Sequence, residues 1–176
     1  MLAEVYSSDA ISNRVKGIAD EINRDFKGED MVHIIITLTG AFMFAADLIR
    51  QLNVPLCIHF AGGQSYSGVE VKDMRIDGDA IPPSFGNKPV IIIEDIVDSG
   101  VTVSALRQIL ADRSASTIKV ATLLKRQSCK GDADYYGFTI PTEMFVVGYG
   151  MDMDGRYREL ATIQTIGNAT NLSGMC

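Results

Sequence analysis

The stretch "PVIIIEDIVDSGVTVSAL", residues 89–106, decides the fold. Its first half is a short apolar run rich in β-branched residues, the pattern of a strand buried on both faces. Its second half opens a helix that the pattern carries over residues 102–113. Between them lie Glu94, Asp95, Asp98, Ser99, Gly100, Val101 and Thr102. Gly100 allows a tight turn, and the first helical turn leaves free N–H groups at the positive end of the dipole. Ser99 and Thr102 add hydroxyl donors. Such a turn can seat a phosphate dianion without a lysine. An ordinary strand–helix turn capped by Asp or Ser fits the loop equally well. The paired carboxylates Glu94 and Asp95 face opposite ways if the strand continues. At a strand end they can accept hydrogen bonds from a sugar diol or bind Mg²⁺. A ligand with a phosphate at one end, and ribose hydroxyls with a metal beside them, would use both kinds of group.

Outward from this unit the chain alternates. Ser7 or Ser8 can cap a helix over residues 9–26, where Ile11, Val15, Ile18 and Ile22 recur at helical spacing. "MVHIIITL" (31–38) reads as a buried strand, "MFAADLIRQL" (43–52) as a helix and "PLCIHF" (55–60) as the next strand. "AGGQSYSG" (61–68) has no core residues, and "VEVKDMRI" (69–76) alternates as a half-exposed strand does. Together they read as a flexible flap. "TIKVATLL" (117–124) and "TEMFVVGYG" (142–150) read as further strands, with the tail closing the domain. Strands alternating with helices predict an α/β fold on a parallel sheet covered on both faces. Ligands then bind at the carboxyl ends of the strands. Four segments are expected to meet there: 38–40, 94–102, Lys125 and 145–152.

Length and charge narrow the function. The 176 residues suit one domain, 1–176, with a sizeable core. A net charge of -6 argues against a nucleic-acid partner, so an anionic ligand must be held by local groups. No apolar run approaches the roughly 20 residues of a membrane-spanning helix. The N-terminus carries no signal-peptide pattern, so a cytoplasmic location is expected. Cys57, Cys129 and Cys176, an odd number, widely spaced and without CxxC, argue against a disulfide framework or a zinc site and read as plain buried or surface thiols. His33 and His59 lie in apolar strands and read as structural or hydrogen-bonded histidines. Neither a Walker motif nor GxGxxG occurs.

"VIIIEDIVDSGVT" closely resembles the phosphoribosyl-pyrophosphate signature of type I phosphoribosyltransferases. "LLKRQ" (123–127) and "DYYGFTIPTEMFVVGYGMDMDGRYREL" (134–160) are similar to the hypoxanthine–guanine branch of that family. The resemblance covers residues 4–160. It implies the type I phosphoribosyltransferase fold with a flap or hood over about 61–77. The implied activity is Mg²⁺-dependent transfer of 5-phosphoribosyl from phosphoribosyl pyrophosphate (PRPP) to hypoxanthine or guanine, in purine salvage. By motif, Glu94 and Asp95 would hold the ribose hydroxyls and, with Asp152, the metal. Asp98 would be the acid–base residue near the purine N7. Ser99, Gly100, Val101 and Thr102 would bind the 5′-phosphate. Leu38, Thr39, Gly40 and Arg158 would bind pyrophosphate, on a loop that in the family has a non-proline cis peptide. Ile96, Lys125, Phe145 and Val146 would meet the base, with Lys125 donating to its 6-oxo group. Ser65 and Tyr66 would belong to the flap.

Two departures stand out. Thr39 occupies a position where the family usually has lysine, and the flap is shorter and richer in glycine. The expected partners are the purine base, PRPP and a second copy or more of the chain, as a homodimer or homotetramer. The alternatives are transfer to another base such as xanthine, and a regulatory relative that senses PRPP.

Overall fold

Residues 2–62, 81–129 and 133–166 are described by a computed structural model. The expected strand at 69–76 and the flap residues Ser65 and Tyr66 lie outside them. The elements run β1 (Leu2–Tyr6), α1 (Ser8–Asp25), β2 (Val32–Leu38), α2 (Phe42–Ile49), β3 (Leu56–Gly62), β4 (Val90–Val97), α3 (Val101–Asp112), β5 (Ile118–Arg126), β6 (Tyr135–Ile140), β7 (Val146–Val147) and β8 (Ile163–Ile166). Among the described residues, no helix is long and apolar enough to cross a membrane.

Five strands pair in parallel in the order β3-β2-β4-β5-β6. The strand pleat sorts their side chains into two layers. Ile34, Ile36, Ile91 and Ile93 pack with Ile11, Ile18 and Ile22 of α1 and Phe44 and Leu48 of α2. Ile35, Ile92 and Val120 pack with Val103, Leu106 and Leu110 of α3. Continuous apolar strands are required because both faces of the sheet are covered.

The observed bounds correct the expected ones where packing extends or interrupts a pattern. Ser7, not Ser8, caps α1, its side chain accepting from the Ala10 amide at 3.2 Å. α2 stops at Ile49 rather than at residue 52. Asn23 holds the chain beyond it, donating to Gln51 O at 2.9 Å and accepting from Asn53 N at 2.7 Å. Ala61 and Gly62 belong to β3, paired with Thr37 and Leu38, so the segment expected as flap begins two residues later. β4 runs through Val97 and β5 through Arg126, so Glu94, Asp95 and Lys125 lie inside strands rather than beyond their ends.

The expected strand over 142–150 shrinks to the two residues of β7, and the strand beside β5 is β6. No helix separates β5 from β6 among the described residues, so strand–helix alternation gives no sign of β6. Arg14 of α1 covers the outer edge of β6, donating to Tyr136 O at 2.6 Å and Gly137 O at 2.9 Å. β1, β8 and β7 form a separate three-stranded antiparallel sheet. This small sheet, unexpected from the sequence, joins both ends of the described chain. It anchors to α2 through the Tyr149 hydroxyl, which donates to Asp47, and to β6 through Tyr6, which stacks on Phe138 at 3.9 Å.

Candidate active site

The carboxyl ends of the parallel strands face the loops that extend from the small sheet. Between them is a cleft of about 340 Å³. Leu38, Thr39 and Gly40 line it from the end of β2, Asp95 and Ile96 from β4, and Arg126 from β5. Phe145, Val146, Met151, Asp152 and Arg158 close the other side. Of the four segments expected to converge, three do so through their own residues. The fourth does so through Arg126 instead of Lys125.

The turn between β4 and α3 does not follow the ordinary capping pattern. The helix begins after Gly100, whose φ of 79° is the left-handed conformation that glycine adopts without strain. No side chain caps the helix. Its leading amides therefore have no side-chain acceptor, which leaves them available to an anion. Asp98 and Ser99 are exposed on the approach, and Thr102 is half-buried in the first turn.

The two adjacent carboxylates differ sharply in burial although their side chains are hydrogen-bonded to one another. Asp95 lines the cleft and packs against Gly40 so closely that a Cβ there would collide with its carboxylate. Glu94 is buried, its Oε1 2.7 Å from Thr37 Oγ1. Burial, followed by the hydrogen bond and charge of Asp95, pushes the Glu94 carboxyl well above its ordinary value. Only the outer member of the pair faces the cleft. Asp152 lines the opposite wall, but Glu94, Asp95 and Asp152 do not converge into one compact group of donor atoms.

Lys125 points away from this cleft. Its Nζ lies 5.2 Å from the centre of the Tyr136 ring. Arg126, its neighbour on the other face of the strand, enters the cleft instead. Arg126 Nη1 donates to Pro141 O at 2.9 Å and also to Met144 O, fixing the chain just before Phe145. Its buried Nε has no hydrogen-bond partner among the described residues and faces Asp98 Oδ1 at 3.7 Å. One arginine thus links the turn at Asp98 with the loop before Phe145. Sequence reasoning passed over it although it stands inside "LLKRQ", and strand alternation was the signal available.

The remaining wall is a tightly turned segment. Arg158 donates from Nη1 to Gly150 O at 2.6 Å, and its Nη2 pairs with Asp152 Oδ1 at 2.7 Å. Asp152 Oδ2 accepts from Gly155 N at 2.7 Å. The expected metal ligand and the expected pyrophosphate ligand therefore face one another as an ion pair. Phe145 is 48% exposed, an apolar ring open to the cleft beside buried Val146. Leu38 and Thr39 are joined by a cis peptide bond at the edge of the same cleft.

This combination of a parallel sheet, a carboxylate-bearing strand, an uncapped strand–helix turn and a cleft between two sheets is the arrangement of a phosphoribosyltransferase. The family profile "Phosphoribosyl transferase domain" matches residues 1–154. Hypoxanthine phosphoribosyltransferase of Salmonella typhimurium is 39% identical over 157 residues, covering 85% of this chain and 86% of that protein. The hypoxanthine-guanine phosphoribosyltransferase of Mycobacterium tuberculosis is 34% identical over 177 residues, covering 91% and 83%. Among solved structures, a mutant of Trypanosoma cruzi hypoxanthine phosphoribosyltransferase in its ternary substrates complex superposes with a TM-score of 0.84 at 33% identity, covering 94% and 95%. A Bacillus anthracis hypoxanthine-guanine phosphoribosyltransferase does so with a TM-score of 0.79 at 35% identity, covering 94% and 98%. The chain belongs to the hypoxanthine-guanine phosphoribosyltransferase family.

Proposed function

We propose that the chain transfers 5-phosphoribosyl from PRPP to hypoxanthine or guanine, giving the nucleoside monophosphate and pyrophosphate, as a single-domain purine salvage enzyme. The observation that carries this reading is the uncapped start of α3 directly downstream of Asp95 in the cleft wall. It offers an anion seat and a diol acceptor on one continuous strand–helix unit.

In this reading the 5′-phosphate rests on the amides and hydroxyls of Ser99, Gly100, Val101 and Thr102. Asp95, with Glu94 beside it, accepts from the ribose 2′ and 3′ hydroxyls. Pyrophosphate lies against Leu38, Thr39, Gly40 and Arg158. Phe145 stacks on the base, with Ile96 and Val146 at its edge. Asp98 manages the proton at the purine N7, a contribution typically worth ~10²–10⁴ in rate. Arg126 keeps Asp98 and the loop before Phe145 in a fixed relation.

The all-oxygen donors Asp95 and Asp152 fit Mg²⁺, which is usually held by one or two carboxylates together with substrate phosphates. Glu94, buried against Thr37, fits less well. When bound, the ion neutralises charge on the departing pyrophosphate. Asp152 would hold the ion beside Arg158, which would meet the pyrophosphate.

Lys125 selects the base. Leaving Tyr136 costs it only about 0.5–1 kcal/mol, the worth of an exposed cation–π contact. A lysine only donates, so it accepts a carbonyl at the purine 6-position and rejects an amino group. Rejection through such a contact reaches ~10⁴ or more.

The test incubates the protein with PRPP and Mg²⁺ and each of hypoxanthine, guanine, xanthine and adenine, following nucleotide formation. Hypoxanthine and guanine should react and adenine should not, and Lys125→Ala should lose both 6-oxopurines. Equal use of adenine would overturn the base assignment. Preference for xanthine would change the substrate, and PRPP binding without turnover on any base would make the chain a sensor.

A further inference from the structure

We propose that His33, Cys57 and His59 form a binding site for a thiophilic cation, Zn²⁺ foremost, at the end of the sheet opposite the catalytic cleft. The backbone brings them together. β2 and β3 are parallel neighbours in which His33 pairs with Cys57 and Ile35 with His59. Residues two apart on a strand share a face. Cys57 and His59 therefore stand side by side on β3, with His33 directly across from Cys57.

The side chains complete the group. His33 Nδ1 lies 3.0 Å from His59 Nε2, and one donor atom from each of the three residues falls within 4.8 Å of the others. Two nitrogens on one tetrahedral Zn²⁺, each about 2.0–2.1 Å from it, stand roughly 3.3 Å apart. The histidine pair is already near that separation, so small side-chain rotations can bring the thiol in. All three residues are half-buried, which leaves a fourth position open to water or an exogenous ligand.

A plain histidine–histidine hydrogen bond explains the contact between the two nitrogens. It does not explain a thiol on the same face within ligand range of both. Phe85 presents its ring at 78° to His33 and 81° to His59, an apolar wall that fixes both imidazoles. Burial lowers the proton affinity of both histidines, and the nearness of His33 lowers that of His59 further. Each ring is therefore disposed to offer a lone pair.

Two imidazoles and a thiolate select a borderline-soft cation over Mg²⁺ or Ca²⁺. The site is thus chemically distinct from the oxygen-lined cleft. It is also remote from it: the five steps along β2 from His33 to Leu38 span about 16 Å at the usual rise per residue. A bound ion would tie β3, the outermost strand of the parallel sheet, to β2.

Cobalt(II) is the probe, added to chelator-stripped protein in the presence of excess Mg²⁺ to occupy carboxylate sites. One equivalent should produce a thiolate-to-cobalt charge-transfer band with the visible bands of a tetrahedral ion, and Zn²⁺ should displace it. Cys57→Ser should abolish the charge-transfer band, and His59→Gln should weaken binding about tenfold or more. Cys129→Ser, altering a buried thiol outside the cluster, should leave the spectrum unchanged. Zn²⁺ should raise the melting temperature of the wild type but not of Cys57→Ser. Absence of the charge-transfer band at saturating Co²⁺, or a band that survives Cys57→Ser in protein with native circular dichroism, would overturn the site.

Discussion

The two sheets build the cleft from opposite sides and by different means. The parallel sheet supplies Asp95, Arg126 and the β4–α3 turn from strands clamped between two apolar layers. The small antiparallel sheet supplies Phe145, Asp152 and Arg158 through a loop held by hydrogen bonds, left-handed residues and the Arg158–Asp152 pair. One wall is fixed by burial and the other by local geometry. A defect in the second should disturb positioning without dissolving the core, whereas a charge change in the first should alter chemistry with little displacement.

Gly150 is the sharpest place to break that contrast. Its φ is +99°, and a Cβ would run into the carbonyl oxygen of Gly40, where the two walls touch. Strained backbone costs about 1–3 kcal/mol, and forced overpacking typically costs about 1–3 kcal/mol more. Gly150→Ala should therefore show the largest effect, lowering the urea midpoint and raising KM for PRPP. Gly155, with φ of +77° and nothing near its missing Cβ, is the matched control. Gly155→Ala should lose only the backbone part, about 1–2 kcal/mol. Equal losses in the two variants would mean that the Gly40–Gly150 contact does not organise the cleft.

Asp98→Asn tests the other wall. Asp98 is exposed, and its charged contact with Arg126 is a long one at 3.7 Å, so the fold should shift by no more than about 0.5 kcal/mol. The rate should fall far more: kcat by roughly 10–10³, with KM for PRPP largely kept. Wild-type kcat across the pH range would remove Asp98 from the chemistry. A large loss of stability would show that the Arg126 contact holds the turn together.

The same contrast accounts for what the sequence discloses. Buried strands such as 90–93 announce themselves because their environment demands apolar side chains on both faces. The turn at Gly100 is legible because its residue types carry their chemistry with them. β1, β7 and β8 are short, and β1 pairs with β8 across the length of the described chain, so no local pattern marks them. Arg126 was hidden by a subtler cause. Lys125 and Arg126 are both cations at a strand end, and only the pleat of β5 decides which one faces the cleft. Glu94 and Asp95 pose the same problem: they diverge in burial, Glu94 enclosed and Asp95 lining the cleft, yet their side chains stay hydrogen-bonded to one another.

That divergence carries the smallest effect, and a distinctive one. Thr37 Oγ1 lies 2.7 Å from Glu94 Oε1 and 3.0 Å from Ile93 O, yet a hydroxyl has one hydrogen to give. A protonated Glu94 resolves the conflict, since it donates to Thr37 while Thr37 donates to Ile93 O. This agrees with a Glu94 carboxyl held well above its ordinary 4.5 by burial and by Asp95. A carboxyl raised in the folded state gives its full stabilisation below the unfolded value. That contribution declines as pH climbs from about 4.5 towards the folded value, because folding must then take up a proton. Glu94→Gln keeps a donor for Thr37 and removes the titration. The variant and the wild type should thus be closest in stability at acid pH. The variant should gain on the wild type as pH rises towards neutrality, read from urea midpoints at matched pH values, while losing affinity for PRPP. Parallel pH profiles would mean that Glu94 is ionised in the fold, and the inner carboxylate would then be as available to a ribose or a cation as the outer one.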